Sequence, residues 1–369
     1  MKKNLLAAAL FAGFAGVAQA ETSVTLYGLI DTGIGYNRVE KRDAVTGDKH
    51  KATRVAAITG TQSGSHWGLR GAEDLGDGLR AVFVLDSGFG SGNGDSLQGG
   101  RLFGRQATIG LANDSWGSFD LGRQTNIASR YFAHIDPFGA GFDQANIGMG
   151  IGSTNTVRYD NMAMYQTPSF SGFQFGIGYS LKTNDKDTTN NNWRTADNDR
   201  ALTTGLRYAN GPLTAALSYD SINTSNLRQG DAVAPRVYAI GAAYDFEVVK
   251  LSLAYGRTEN GWIGGFNSSG MKENFGVSIP AIEVNSGFRA NSYLVGLSAP
   301  IGPVSNVFGS WQSVSVNRDG ETMNVYRLGY TYDLSKRTNL YAYGSYASDY
   351  YFENGAKSTA TGVGIRHRF

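Results

Sequence analysis

Apolar and polar residues alternate with a period of two along much of the chain. Leu202, Thr204, Leu206 and Tyr208 fall on one side of an extended segment, and Thr203, Gly205 and Arg207 on the other. The same alternation runs through Phe173, Phe175, Ile177 and Tyr179, and through Leu213, Ala215, Leu217 and Tyr219. It returns in Tyr238, Ile240, Ala242, Tyr244 and Phe246, in Tyr326, Leu328, Tyr330 and Tyr332, and in Val363, Ile365, His367 and Phe369. Strict alternation predicts strands with one apolar face. No comparable stretch has helical spacing, so the chain is predicted to be all-β.

The apolar face could close a soluble core or meet a bilayer. Two features favour the bilayer. The segments run about 8–12 residues, the length of a tilted spanning strand. Tyr and Phe gather at segment ends (Tyr208, Tyr219, Tyr238, Phe246, Phe173, Tyr179 and Tyr332), as in the aromatic girdles of an outer-membrane barrel. The glycine-rich face would then line a wet lumen. Connections alternate short and long. Short ones fall at 74–78, 113–117, 167–172, 210–212, 245–248, 300–303 and 335–338. Long ones fall near 38–60, 88–100, 124–156, 182–199, 221–234, 259–291, 315–323 and 348–358. All seven Pro lie in connections or at a strand start, where a missing N–H is tolerated. Seven short turns and eight long loops join sixteen antiparallel strands, with both termini in the periplasm. A barrel of that size leaves an aqueous channel, and closure satisfies every backbone donor in lipid.

The N-terminus has a different pattern. Lys2 and Lys3 precede an apolar run from Leu5 to Val17 and a small-x-small site, Ala18-Gln19-Ala20. This reads as a cleaved secretory signal peptide over residues 1–20, with a single barrel domain over 21–369. Removing Lys2 and Lys3 leaves 31 basic against 31 acidic residues. No large basic patch for nucleic acid is implied. The absence of Cys excludes disulfides and thiolate metal sites. Gly, at 50 of 369 residues, is about twice its usual share.

Several stretches, in order, resemble the general porins of Gram-negative outer membranes, in the lineage typical of Neisseria-like and Burkholderia-like bacteria. They are Val24-Thr25-Leu26-Tyr27-Gly28, Trp67-Gly68-Leu69-Arg70-Gly71 continuing from Glu73 to Leu79, Arg105-Gln106-Ala107-Thr108-Ile109-Gly110-Leu111, Gly117-Ser118-Phe119-Asp120-Leu121-Gly122-Arg123, Thr167-Pro168-Ser169-Phe170-Ser171-Gly172-Phe173, and the terminal Phe369. The resemblance implies a sixteen-stranded transmembrane β-barrel whose third long loop folds inward to constrict the pore. It further implies a homotrimer, embedded in outer-membrane lipid and lipopolysaccharide, passing small hydrophilic solutes and ions without a cofactor. Phe369 looks like the signal read by the outer-membrane assembly machinery.

The resemblance also implies acids on the inward loop facing arginines on the wall. The acid candidates are Asp136 and Asp143, in a loop that also carries Arg130 and His134. The wall candidates are Arg70, Arg105, Arg123 and Arg158. Parity turns Arg70 inward, opposite Trp67 and Leu69. Parity alone turns Arg105 outward with Ala107, Ile109 and Leu111, whereas the resemblance places it in the pore. His66, Leu29 and Met164 depart from the family pattern and thin the basic wall. Basic candidates still outnumber acidic ones, so weak anion preference is expected.

Other readings carry less. The Gly-x-Gly pairs (Gly33/Gly35, Gly176/Gly178 and Gly362/Gly364) have no following helix, as a nucleotide loop requires. No Ser–His motif supports a hydrolase. Acidic residues in loops (Asp43, Asp48, Asp185, Asp187, Asp197 and Asp199) lack the spacing of a calcium cage. A solute-specific channel for sugars or carboxylates would need an aromatic or Arg ladder along the lumen, and alternation puts most aromatics outside. An adhesin would use the long loops.

Overall fold

The structure, a computed structural model, describes residues 23–42, 46–186, 194–225, 233–264, 286–317 and 322–369. The signal peptide and the acids Asp43 and Asp187 lie outside the described residues. The strands are β1 (Ser23–Arg42), β2 (Lys49–Thr59, resuming as His66–Gly76), β3 (Leu79–Gly88), β4 (Gln106–Asn113), β5 (Gly117–Thr125), β6 (Arg158–Gln166), β7 (Phe173–Ser180), β8 (Arg200–Asn210), β9 (Leu213–Asn223), β10 (Arg236–Asp245), β11 (Lys250–Glu259), β12 (Arg289–Ile301), β13 (Ser305–Val316), β14 (Thr322–Asp333), β15 (Thr338–Ser348) and β16 (Lys357–Arg368).

Each strand pairs antiparallel with its sequence neighbour, and β16 returns to β1 from Leu29↔Arg368 to Glu40↔Lys357. The barrel is therefore closed with sixteen strands. The second strand is broken. Its first part pairs with β1 from Arg42↔Lys49 to Thr32↔Thr59, and its second from Leu29↔His66 to Ser23↔Ala72. Residues 60–65 between them leave the wall. The predicted loop at 38–60 is mostly strand: β1 and β2 continue as a tall hairpin. Its Lys49, Lys51 and Arg54 break the apolar alternation, but pairing with β1 still satisfies the backbone.

The alternation has the expected sidedness. Ile240 (58% exposed), Leu328 (63%) and Val363 (58%) stand on the outer wall, while Ala239, Ala243 and Val325 between them are buried. The apolar core is not a central filling. It lies between the inner wall and the third long loop, which runs from Asn126 to Val157 and contains the short helix α1 (Ile127–Phe132). Ile127, Tyr131, Phe132, Ile135, Ile147 and Ile151 of the loop pack on Met162, Ala201, Ala216, Ala239, Ala254 and Leu294 of β6 and β8–β12.

That seat exists because the wall beneath carries no side chains at the contact points. A Cβ at Gly176 would lie 2.5 Å from Ile127 Cδ1, one at Gly205 3.0 Å from Ile127 Cγ2, and one at Gly256 2.7 Å from Ile151 Cγ1. At Gly296 it would lie 2.4 Å from Pro137 Cγ. The glycine-rich face of β7–β12 is thus only partly a wet lumen, because the folded loop occupies it.

Candidate functional site

The loop leaves an off-centre passage on its free side. A cavity of about 590 Å³ is lined by the loop (Ala133, Gly139 to Gln144, Asn155, Thr156), by residues 60–64, which touch the loop's tip, and by Asn37, Val39, Ser358 and Ala360 of the barrel wall. Its charged lining is Arg105, Arg158 and Asp143. Gln62, Gln98, Gln144, Asn146 and Asn155 supply neutral polar groups around them. Charge in a narrow, protein-walled passage acts across less water than on an open surface, so each of these groups has long reach.

The loop is fixed at its roots and at its tip. At the roots, Asn126 caps α1 by accepting from Ser129 N at 3.3 Å, a standard N-cap role. Its Nδ2 donates to Ser153 O at 2.9 Å and to Asp220 Oδ1 of β9 at 2.8 Å. Ile127 N donates to Thr203 Oγ1 at 2.9 Å, and Ser129 Oγ donates to Ser153 O at 3.0 Å. At the tip, Phe138 packs edge-on against Phe142 and Phe308, Phe142 lies tilted on Phe308, and Tyr341 and Tyr343 surround Phe142. Phe142 N donates to Thr61 O at 2.5 Å.

Asp143, next to Phe142, is open to lumen water but enclosed by the passage walls. That loss of solvation, with the charge of Asp31 nearby, pushes its carboxyl up to about 6. Asp136 sits differently. It is buried, and its carboxylate accepts from Phe138 N (3.2 Å), Ala140 N (2.9 Å) and Ile147 N (3.1 Å). Burial pushes its carboxyl up against the pull of Arg327 and these donors. It borders a second cavity of about 440 Å³, with Asp245, Glu247 and Lys250. Asp136 shapes the loop from within and does not line the main passage. Arg130 is held by Thr125 O (3.0 Å) and Gln124 Oε1 (2.9 Å), and the His134 carbonyl accepts from Lys250 Nζ at 3.1 Å.

The wall arginines separate into distinct settings. Arg70 stacks over the Tyr27 ring, 5.3 Å from its centroid, on the lumen side that parity predicts. Arg105 lies at the bend before β4, so strand parity does not govern it. Its N–H donates to Asp86 O at 3.1 Å and its guanidinium pairs with the Asp86 carboxylate at 3.3 Å, turning it inward. Ile109 and Leu111, which begin the true alternation, face outward. Arg123 pairs with Asp160, which also holds Arg101 at 2.8 Å, and its Nε donates to Gly104 O at 2.7 Å. Arg158 donates to Thr156 O at 3.3 Å and, among the described residues, takes part in no ion pair. Met164 is buried under the loop, and His66 Nδ1 bonds the Gly64 carbonyl at 2.7 Å.

Sequence reasoning missed the partners Asp86, Asp160 and Asp220. Their signal is an isolated carboxylate inside a strand. Phe369 closes the barrel seam: its N–H donates to Gly28 O at 3.0 Å and its carbonyl accepts from Gly28 N at 3.2 Å.

A family model described as Gram-negative porin matches residues 6–351. An outer membrane porin protein of Bordetella pertussis is 66% identical, with both chains covered in full. Outer membrane porin protein 32 of Delftia acidovorans is 32% identical over the full length of both. Among solved structures, one described as an anion-selective porin from Comamonas acidovorans superposes with a TM-score of 0.72 at 28% identity, covering 95% of this chain and 100% of the other.

Proposed function

The chain belongs to the Gram-negative porin family, and from that premise we propose that its pore passes small hydrophilic solutes with a weak preference for anions, set where Arg105 and Arg158 face Asp143. The protein is an outer-membrane porin, a water-filled passive channel and not an enzyme. What carries the selectivity reading is the charge lining the passage. Two cations face one carboxylate, and enclosure weakens that carboxylate's ionisation. Arg105 shares its charge with Asp86, so Arg158 contributes the larger unbalanced field. The anion-selective Comamonas relative supports the same sign.

Arg123, tied to Asp160, and Arg70, stacked on Tyr27, sit behind or beside this point and tune it more weakly. Asp136 acts by holding the loop's shape. The working assembly is a homotrimer seated in lipid and lipopolysaccharide. It is exported through residues 1–20, which are cleaved after Ala20, and assembled through recognition of Phe369.

Reversal potentials across a planar bilayer in a salt gradient test the reading. The purified protein should favour chloride over potassium. Arg158→Gln should bring the ratio to unity or below, and Asp143→Asn should raise it. Cation preference in the unaltered protein would overturn the assignment.

A further inference from the structure

The second strand leaves the wall for six residues and returns, which a barrel strand has no need to do. Residues 60–65 are held in that excursion by Asp31 of β1, a carboxylate with 0% exposure. Ser63 N donates to Asp31 Oδ2 at 2.7 Å, and Tyr341 Oη donates to Oδ1 at 2.7 Å. Gly60 N donates to the Asp31 carbonyl at 2.9 Å. Ser65 Oγ accepts from Asp31 N and donates to its carbonyl, both at 3.0 Å. A second layer braces the first. Arg366 Nη1 donates to Ser63 Oγ at 2.8 Å, and Asn339 Nδ2 donates to Gln62 Oε1 at 2.8 Å.

On its lumen side the braced excursion meets the tip of the inward loop, while Ser65 O accepts from Phe89 N at 3.0 Å and Gly64 lies against Arg105. Thr61 O accepts from Phe142 N, and the backbone of Gln62 lies against Gly141, where a Cβ would come within 2.1 Å of the Gln62 carbonyl. The next residue is Asp143, the one carboxylate among the residues lining the passage.

We propose that Asp31, with Tyr341 and Ser65, is a positioning group for selectivity: through the 60–65 excursion it fixes where Asp143 stands opposite Arg105 and Arg158. This rests on the constriction reading above and adds a cause for its geometry. Asp31 touches no solute. It acts through a chain of four contacts, carboxylate to Ser63, excursion to Thr61, Thr61 to Phe142, and Phe142 to Asp143.

Neutral variants separate position from charge. Tyr341→Phe keeps the ring against Phe142 and removes only the hydroxyl donor. Ser65→Ala removes the two bonds to the Asp31 backbone. Neither alters net charge. Each, in the trimer purified from outer membrane, should change the chloride-to-potassium permeability ratio about twofold. In the Asp143→Asn background the same substitutions should leave the ratio unchanged, because the group being positioned has lost its charge. Equal changes in both backgrounds, or none in the native one, would overturn the proposal. A ratio unmoved by Asp143→Asn alone would sink the constriction reading instead. Single-channel conductance and resistance of the trimer to heat in detergent, measured alongside, confirm that each variant compared is a folded pore.

Discussion

In the proposed constriction, Arg158 and Asp143 carry the selectivity that their charged neighbours on the wall do not. Four arginines share the same region of the wall, yet Arg105 and Arg123 have carboxylates within pairing distance and Arg70 lies over a ring. A paired charge projects a weaker field than a lone one. Asp143 makes the balance depend on pH. Its carboxyl is raised to about 6, so it is ionised at pH 7.5 and largely neutral at pH 5. As pH falls through about 6 the passage keeps its arginines and loses its acid, and anion preference should rise. Reversal potentials at pH 7.5 and pH 5 check this. In Asp143→Asn the rise should be absent across that range.

At the scale of elements, the loop and the strands beneath it are one unit. Glycines on β7, β8, β11 and β12 make room for Ile127, Ile151 and Pro137, and Asn126 ties the loop's two roots to Asp220. Gly256→Leu would place a side chain where Ile151 now sits. Overpacking of this kind costs about 1–3 kcal/mol, and the strain should be relieved by pushing the loop into the open passage. Single-channel conductance should fall, with trimer yield retained. Asp220→Ala should act in the opposite sense. With Asn126 Nδ2 losing one of its two acceptors, the loop roots loosen, and larger open-channel current noise is expected. The strands themselves were legible, since a period of two has only one meaning. The seat was not, because a stripe of glycine looks the same whether water or a folded loop lies over it. The 60–65 excursion was hidden too. Its residues Gly60-Thr61-Gln62-Ser63-Gly64-Ser65 follow the expected loop at 38–60 and carry no alternation of their own, and Asp31, far off in sequence, gives them a place.

For the whole molecule, the count of sixteen strands followed from turn spacing and the barrel confirms it, because short hairpins leave each strand no partner but its neighbours. What the turn count could not supply was the constriction, which depends on contacts such as Gln312 Nε2 to Ile147 O, 2.9 Å long and buried between the loop and β13. Closure relies on the two ends. Phe369 continues the β16 ladder by exchanging two backbone bonds with Gly28. Deleting Phe369 should lower the amount of heat-resistant trimer recovered from outer membranes several-fold, measured against a peripheral deletion of equal size in an outer loop.

The seam has one more bearing on the passage. Asn37 and Val39 from the first strand, and Ser358 and Ala360 from the last, line the channel beside the loop, with Ser358 Oγ donating to Gln144 Oε1 at 2.7 Å. The aperture is therefore bounded by the earliest and latest segments to be made. Until those two edges zip together, the bore has no defined width. The pairing that shuts the cylinder is thus also the one that sets its clearance.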